Sequence, residues 1–106
     1  PVRRGPAVDE LAPVWLMEPQ HGATAGRDVE VHIAGSAFEA TVQLRVRRAD
    51  RVVAERVVTL SAGAPARGEA RLRLTLDPGT YVVEAYEISA ADGGEQHHDD
   101  HTVTVR

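Results

Sequence analysis

The stretch DPGTYVVEAYEISAADGG, Asp77 to Gly94, contains a turn, a strand and a second turn. Pro78 restricts φ at the first central position of a turn and Gly79 accommodates a positive φ, so the chain should reverse just before Tyr81. Alternate residues of a strand point to opposite faces, which places Tyr81 and Val83 together on one face. We expect that face to be buried, with the remaining strands arranged around it.

The order Asp77-x-Gly79-x-Tyr81-x-Val83 is similar to the start of strand F in immunoglobulin-like sandwiches. In those domains a "tyrosine corner" Tyr lies two residues before a core position that is usually Cys. Here Val83 holds that position, and the chain contains no Cys at all. Packing must therefore replace the disulfide, and thiolate metal sites are excluded.

The size and composition of the chain favour one domain with an aliphatic core. Its 106 residues suit a single two-layer sandwich. The chain is 42% hydrophobic but only 4% aromatic, which argues against a carbohydrate or base-stacking site. A net charge of −4 argues against a positively charged surface for nucleic acid. No apolar run approaches the ~20 residues of a membrane span. We expect no nucleic-acid partner, no direct membrane insertion and no cofactor.

The strands are predicted from the alternation of apolar and polar residues. The clearest run has Val42, Leu44 and Val46 on one face, and its arginines Arg45 and Arg47 are interpreted as solvated. The predicted strands are VWLME from Val14, Val29 to Gly35, Glu39 to Arg48, Val52 to Leu60, Leu72 to Leu76, Tyr81 to Tyr86 and His101 to Val105. This pattern predicts an all-β fold, an immunoglobulin-like antiparallel β-sandwich of about seven strands without a disulfide.

Several segments allow two interpretations. The spacing of apolar residues in Val52 to Leu60 also suits a helix, but its β-branched content favours a strand. The segment Gln20 to Asp28 is turn-rich and predicts a hairpin-like connection. We interpret His32 as a solvated residue on the polar face of its strand, and Trp15 as a partly buried cap on the sandwich edge.

The N-terminal segment differs in composition from the rest of the chain. Residues 1–13, PVRRGPAVDELAP, combine prolines with charges and show no sustained period, which predicts a linker or tail. The sandwich domain is then expected to comprise residues 14–106. Because the sequence begins with Pro1 and not with Met, we expect it to be processed or to derive from a longer protein.

Three blocks of the chain resemble the signature of one known family. The blocks are HIAGSAFEATVQLRV (His32 to Val46), SAGAPARGEARLRLTL (Ser61 to Leu76) and YEISAADGGEQHHDDHTVTV (Tyr86 to Val105). They resemble the immunoglobulin-like domain of bacterial spore germination in a Gly-x-Ala followed by Phe-Glu, an Ala-Gly-Ala-Pro loop with a later Gly, and a Ser-x-x-Asp-Gly turn. The resemblance spans Val14 to Arg106.

This resemblance implies a function as well as a fold. It implies a non-enzymatic binding or spacer module of an exported bacterial cell-envelope protein, associated with sporulation or germination. The location would be extracytoplasmic, either secreted or lipid-anchored. The partner would be a protein of the cell envelope, and its identity and the oligomeric state remain open.

The matched positions have structural explanations. The signature residues are Gly35, Phe38, Glu39, Tyr81, Ser89, Asp92 and Gly93. Gly35 would end a strand where the backbone turns, Phe38 would fill the core at that corner, and Glu39 would cap nearby amides. Ser89 and Asp92 would accept hydrogen bonds from backbone amides in a loop closed by two glycines.

A histidine cluster provides the alternative function. His97, His98 and His101, with Asp99 and Asp100 between them, carry side chains that bind Zn²⁺ or Ni²⁺. Adjacent residues of a strand point apart, however, and the spacing matches no established site. The two readings are therefore a metal-responsive domain and a solvated loop that leads into the last strand.

The sequence contains no recognisable catalytic motif. It has no Gly-x-Ser-x-Gly elbow and no phosphate-binding glycine loop. No isolated pair of carboxylates lies in an apolar setting. We expect the protein not to be an enzyme.

Overall fold

The computed structural model describes residues 14–37, 40–62, 66–89 and 91–106, and the regular elements of these ranges are strands. The strands are β1 (Val14–Glu18), β2 (Ala23–Ala25), β3 (Asp28–Gly35), β4 (Thr41–Arg48), β5 (Arg51–Thr59), β6 (Gly68–Thr75), β7 (Gly79–Ile88) and β8 (Glu95–Val105). None of these residues forms a helix long and apolar enough to cross a membrane. The prediction of an all-β sandwich is confirmed.

The strands form two sheets. One sheet has three strands in the order β1-β3-β6, and the other has five in the order β2-β8-β7-β4-β5. Neighbouring strands are antiparallel, except that β2 runs parallel to β8. The consecutive strands β1 and β2 therefore lie in different sheets, and the chain crosses between them after Glu18.

Strand β2 was not predicted, so the described residues form eight strands where about seven were expected. Its three residues lie inside the segment Gln20 to Asp28, which the sequence predicts to be a connection. They pair with Val103, Thr104 and Val105. Three residues are too few to show alternation, and Gly22 and Gly26 on either side gave the segment the composition of a turn.

The core lies between the sheets and is almost entirely aliphatic. The residues of β4 predicted to share one face, Val42, Leu44 and Val46, are at most 1% exposed. The fully enclosed side chains include Val14, Leu16, Val29, Val31, Ile33, Val42, Leu44, Val46, Val83 and Val103. Alternation along the strands thus identified the buried face, because each sheet covers only one face of the other.

Tyr81 and Val83 occupy the positions expected of them on β7. The Tyr81 hydroxyl donates a hydrogen bond of 2.6 Å to the carbonyl oxygen of Asp77, four residues upstream, as in a tyrosine corner. Val83 is fully buried and lies between Val46 on β4 and His101 on β8. Aliphatic packing fills the position that a disulfide occupies in antibody domains.

The last strand begins earlier than predicted. It starts at Glu95 and not at His101, so His97 and His98 lie in a strand and not in the predicted loop, although both stay exposed to solvent. Both histidines lie opposite Tyr86 in a β-bulge, and His97 has a φ of 58°. The extra residue interrupts the alternation, which is why the pattern did not indicate a strand there.

His32 is buried and not solvated. It lies on the outer face of the central strand β3, between Arg71 on β6 and Glu18 on β1. Its Nε2 is 2.6 Å from a carboxylate oxygen of Glu69. Long side chains from both neighbouring strands can cover a residue on a central strand, so an outer face does not guarantee solvation. Trp15, on the same sheet, keeps 44% of its surface exposed.

Candidate interaction surface

Strand β5 forms one edge of the five-stranded sheet, with β4 as its neighbour in that sheet. It is nine residues long, and three of its valines are exposed: Val52 by 48%, Val53 by 40% and Val57 by 70%. An exposed edge strand with apolar side chains is a place where another polypeptide can pair. We refer to Arg51–Thr59 as the β5 edge.

A bulge divides the β5 edge into two parts. Val46 on β4 lies opposite Ala54 and the next residue, Arg47, lies opposite Val52, so Val53 is the additional residue. Beyond the bulge, Ala54–Thr59 pairs regularly with β4. A bulge disturbs further pairing, so the regular segment is the part of the edge that can accept another strand.

The regular segment presents one charge on each face. Glu55 lies on the outer face opposite Arg45, and Arg56 lies on the core-facing side opposite Leu44. Among the described residues, the Glu55 carboxylate forms no ion pair. The Arg56 guanidinium donates a hydrogen bond of 2.7 Å to the backbone oxygen of Glu55. Both charges are therefore available to a partner.

A shallow groove lies on the outer face of the sheet and extends from β5 across β4 to β7. It is lined by Gln43, Leu44, Glu55, Arg56, Val57 and Tyr86. These side chains come from β4, β5 and β7, which are consecutive strands of the sheet. The groove therefore extends from Tyr86 on β7 to Val57 on the edge strand.

Arg45 explains why Glu55 is unpaired. The Arg45 guanidinium binds Glu84 through Nε and forms a bidentate pair with Glu95, with N–O distances of 2.9 and 3.1 Å. Its side chain is only 16% exposed, so the prediction that it is solvated is wrong. The hydrogen bond to Glu95 is the largest cause of the raised Arg45 pKa, and the same bond lowers the Glu95 pKa.

Tyr86 is fixed in position beside the groove. The Arg45 guanidinium carbon lies 4.7 Å from the centre of the Tyr86 ring, and the His98 ring stacks on Tyr86 at 4.8 Å with an interplanar angle of 12°. Burial raises the Tyr86 pKa, so the phenol is neutral at physiological pH. These contacts make Tyr86 a rigid side of the groove.

Two carboxylates lie opposite each other on the same outer face. Glu84 on β7 pairs across the sheet with Asp100 on β8. Burial raises the Asp100 pKa, and the neighbouring Glu84 charge adds to this shift. Arg45 and Arg47 lie on the other side of Glu84, at hydrogen-bond distance and at 3.8 Å. The sheet face is thus covered by a network of paired charges that stops at Glu55.

The three candidate metal ligands have separate partners. His97 Nδ1 lies 2.7 Å from Glu87, and His101 Nδ1 lies 2.7 Å from the backbone oxygen of Pro19. His98 stacks on Tyr86. In the part of the chain that the structure describes, no three His, Cys, Asp or Glu side chains are arranged to hold a metal ion. The metal hypothesis remains a prediction without support from this geometry.

The family-signature residues of the second loop act within the loop. The Ser89 hydroxyl accepts a hydrogen bond from the Ala91 N–H, and an Asp92 carboxylate oxygen accepts one from the Gly94 N–H at 2.9 Å. Gly93 has a φ of 76°, a conformation that favours glycine. The same backbone hydrogen bond to Gly94 is the largest cause of the lowered Asp92 pKa.

Gly35 lies at the same end of the sandwich as the second loop, because β4 starts just after Gly35 and its first residues pair with the end of β7. Gly35 is the last residue of β3 and pairs with Val14 on one side and Gly68 on the other. Phe38 and Glu39 lie outside the described residues, so their proposed roles as core plug and amide cap stay predictions. None of the described signature residues lies at the β5 edge.

Sequence reasoning missed the residues of this surface. The alternation places Val57 in a predicted strand without indicating its exposure, and it predicts that Arg45 is solvated. Tyr86 and Glu84 lie on the outer side of β7, in register with Gln43 and Arg45. An aromatic residue on the polar face of a predicted strand is the signal that could have indicated a covered outer face.

The chain is similar to known proteins in sequence and in fold. Residues 13–94 match a family model described as the immunoglobulin-like domain of bacterial spore germination. The crystal structure of an engineered protein, solved by a structural genomics consortium, is similar to 91% of the chain with a TM-score of 0.58 and 21% identity. The chain spans 20% of the length of that protein, and the similarity concerns the fold alone. A search of curated proteins found no match.

Proposed function

Because the chain belongs to the family of the immunoglobulin-like domain of bacterial spore germination, we propose that it is a non-enzymatic binding module of an exported cell-envelope protein. Its partner in this proposal is another protein of the envelope. The β5 edge is the proposed binding surface. The association with sporulation or germination comes from the family.

The exposure of Val57 on an edge strand is the observation that carries the proposal. The side chain is 70% exposed, next to a groove and to the unpaired charge of Glu55. Sandwich domains usually protect an edge with charges, bulges or short strands. The bulge at Val53 protects only the first part of this edge. A domain that served as a spacer alone would gain nothing from leaving the second part open.

The groove offers no catalytic pair of side chains. Among the described residues, its lining contains one carboxylate, one guanidinium and one phenol, and no histidine, serine or cysteine. A nucleophile activated by a neighbouring base is therefore missing from the groove. This supports a binding role over an enzymatic one.

Photo-crosslinking tests the binding role in the full-length protein. A p-benzoylphenylalanine placed at Val57 should give a discrete crosslinked product in cells of the native host. The matched control is the same probe at Arg73, which is exposed on the other sheet. No discrete product at Val57, or the same product at both positions, would contradict the proposed surface.

The extracytoplasmic location requires a separate test. The reading frame upstream of Pro1 should encode a secretory or lipoprotein-type export signal. Fractionation of cells that produce the full-length protein should place it outside the cytoplasm. Recovery of the full-length protein in the cytosolic fraction would contradict this part of the proposal.

A further inference from the structure

The regular part of the β5 edge has room for one more strand. Ala54–Thr59 pairs with β4 on one side, and none of the strands in the described ranges pairs with it on the other. In an edge strand every second residue directs its N–H and C=O away from the sheet. Six residues extend over about 20 Å, which is the length of an ordinary strand.

The side chains of this segment define what can lie opposite. Residues directly opposite each other in an antiparallel pair lie on the same face of the sheet. On the outer face, Val57 follows Glu55. On the core-facing side, Arg56 is exposed between Ala54 and Val58. A complementary strand therefore needs a basic residue on the outer face, opposite Glu55, and an acidic residue on the core-facing side, opposite Arg56.

A second copy of the chain cannot supply those charges. Two copies that extend one sheet through β5 are related by a two-fold axis perpendicular to the sheet, and this axis keeps each face on its own side. Glu55 is the only charged residue of Ala54–Thr59 on the outer face, and Arg56 the only one on the other face. Glu55 can then oppose Glu55 of the copy, but never Arg56. Like charges directly opposite are unfavourable. In the register with Val57 opposite Val57, Glu55 opposes Thr59 and Arg56 opposes Val58, so both charges stay unpaired.

The occupant that can pair both charges is a segment of a different protein. Resting on the proposed function of the β5 edge, we propose that an extended segment of the partner adds to Ala54–Thr59 as an antiparallel strand. It carries an apolar residue opposite Val57, an acidic residue opposite Arg56 and a basic residue opposite Glu55.

Two peptides of the same composition test the order of charges. The matched probe is acetyl-Thr-Thr-Val-Glu-Lys-Val-amide, whose Glu opposes Arg56 and whose Lys opposes Glu55 when it binds antiparallel. The second probe exchanges Glu and Lys. Titration of the isotope-labelled chain, followed by NMR, should show shifts of the Ala54–Thr59 amides with the matched probe. We expect it to bind about fourfold more tightly or better, from two charged pairs of modest strength.

A charge-exchange variant provides the control. Combining Glu55→Lys with Arg56→Glu should reverse the preference between the two peptides, because it exchanges the charges and leaves Val57 in place. Arg73→Glu, on the other sheet, should leave the preference unchanged. Both sites are exposed, so the variants are expected to fold.

The outcomes separate this inference from the proposed function. Equal affinity for both peptides, a preference for the exchanged one, or shifts outside β5 would overturn the inference, while a crosslink at Val57 would still support a binding surface. A dimer in analytical ultracentrifugation that Val57→Lys abolishes would identify a second copy as the occupant and also overturn it. A missing crosslink at Val57 would reject the proposed function itself.

Discussion

The Tyr81 hydroxyl donates a hydrogen bond to the backbone oxygen of Asp77, which joins β7 to the turn that precedes it. We expect Tyr81→Phe to lower the free energy of unfolding by about 1 kcal/mol, because the ring stays buried and only the hydrogen bond is lost. Urea denaturation measures the change. The control is Tyr86→Phe, whose hydroxyl lies at a long 3.4 Å from Arg45 Nη1. An equal loss in both variants would contradict a special role for the corner.

Gly68 lies where two parts of the backbone approach closely. A Cβ at this position would be 2.3 Å from the backbone nitrogen of Ala62 and 2.6 Å from its oxygen. Gly68→Ala should therefore lower the free energy of unfolding by about 1–3 kcal/mol, because the loop or β6 must move. Gly26→Ala is the control, since its Cβ would meet nothing within 4 Å. Thermal unfolding of the two variants should differ clearly, and equal melting temperatures would refute the clash.

The ion pair between Arg45 and Glu95 should make stability depend on pH. The hydrogen bond to Arg45 lowers the Glu95 pKa in the folded protein, so the stabilisation is present above the unfolded pKa of glutamate, about 4.3. It is lost as the pH falls through the lower folded value. Glu95→Gln should thus be less stable than the parent at pH 7, and the difference should shrink in acid.

Glu55→Gln is the matched control for Glu95→Gln. Glu55 also lies close to Arg45 across the sheet, yet it forms no ion pair among the described residues. Urea unfolding at pH 7 should show little change for this variant. If both variants lost the same stability, the bidentate pair would not be the cause.

Asp100 should affect the pH dependence of stability in the direction opposite to Glu95. Burial raises its pKa in the folded protein, so the folded state binds the proton more tightly than the unfolded state. This contribution is present below the unfolded pKa and is lost as the pH rises through the folded one. Asp100→Asn should be more stable than the parent at pH 7 by about 0.5 kcal/mol, a small gain because the side chain is 44% exposed. A less stable variant at pH 7 would contradict the shift.

The sequence predicted the parts of the fold that depend on alternation. Val42, Leu44 and Val83 are buried as predicted, because apolar residues recur at every second position and two facing sheets bury only those positions. The position of Tyr81 just after a predicted turn indicated that it forms a tyrosine corner. These features are local, so a single sequence is enough to indicate them.

The interaction surface depends on which strands become neighbours. Val57 is exposed because β5 is an edge strand, and the alternation of Val52 to Leu60 does not show whether a strand is central or at an edge. His97 and His98 were misplaced because a bulge interrupts the period of two. Arg45 is covered because Glu84 and Glu95 come from two other strands. Contacts of this kind follow from topology and not from local pattern.

The parallel pairing of β2 with β8 also affects how the domain responds to mechanical load. Both strands run in the same direction, and they are close to opposite ends of the described chain. Pulling on the two ends would draw them past each other along their length. The hydrogen bonds between Ala23–Ala25 and residues 103–105 would then be stressed together, in shear, and would not open one after another like a zipper.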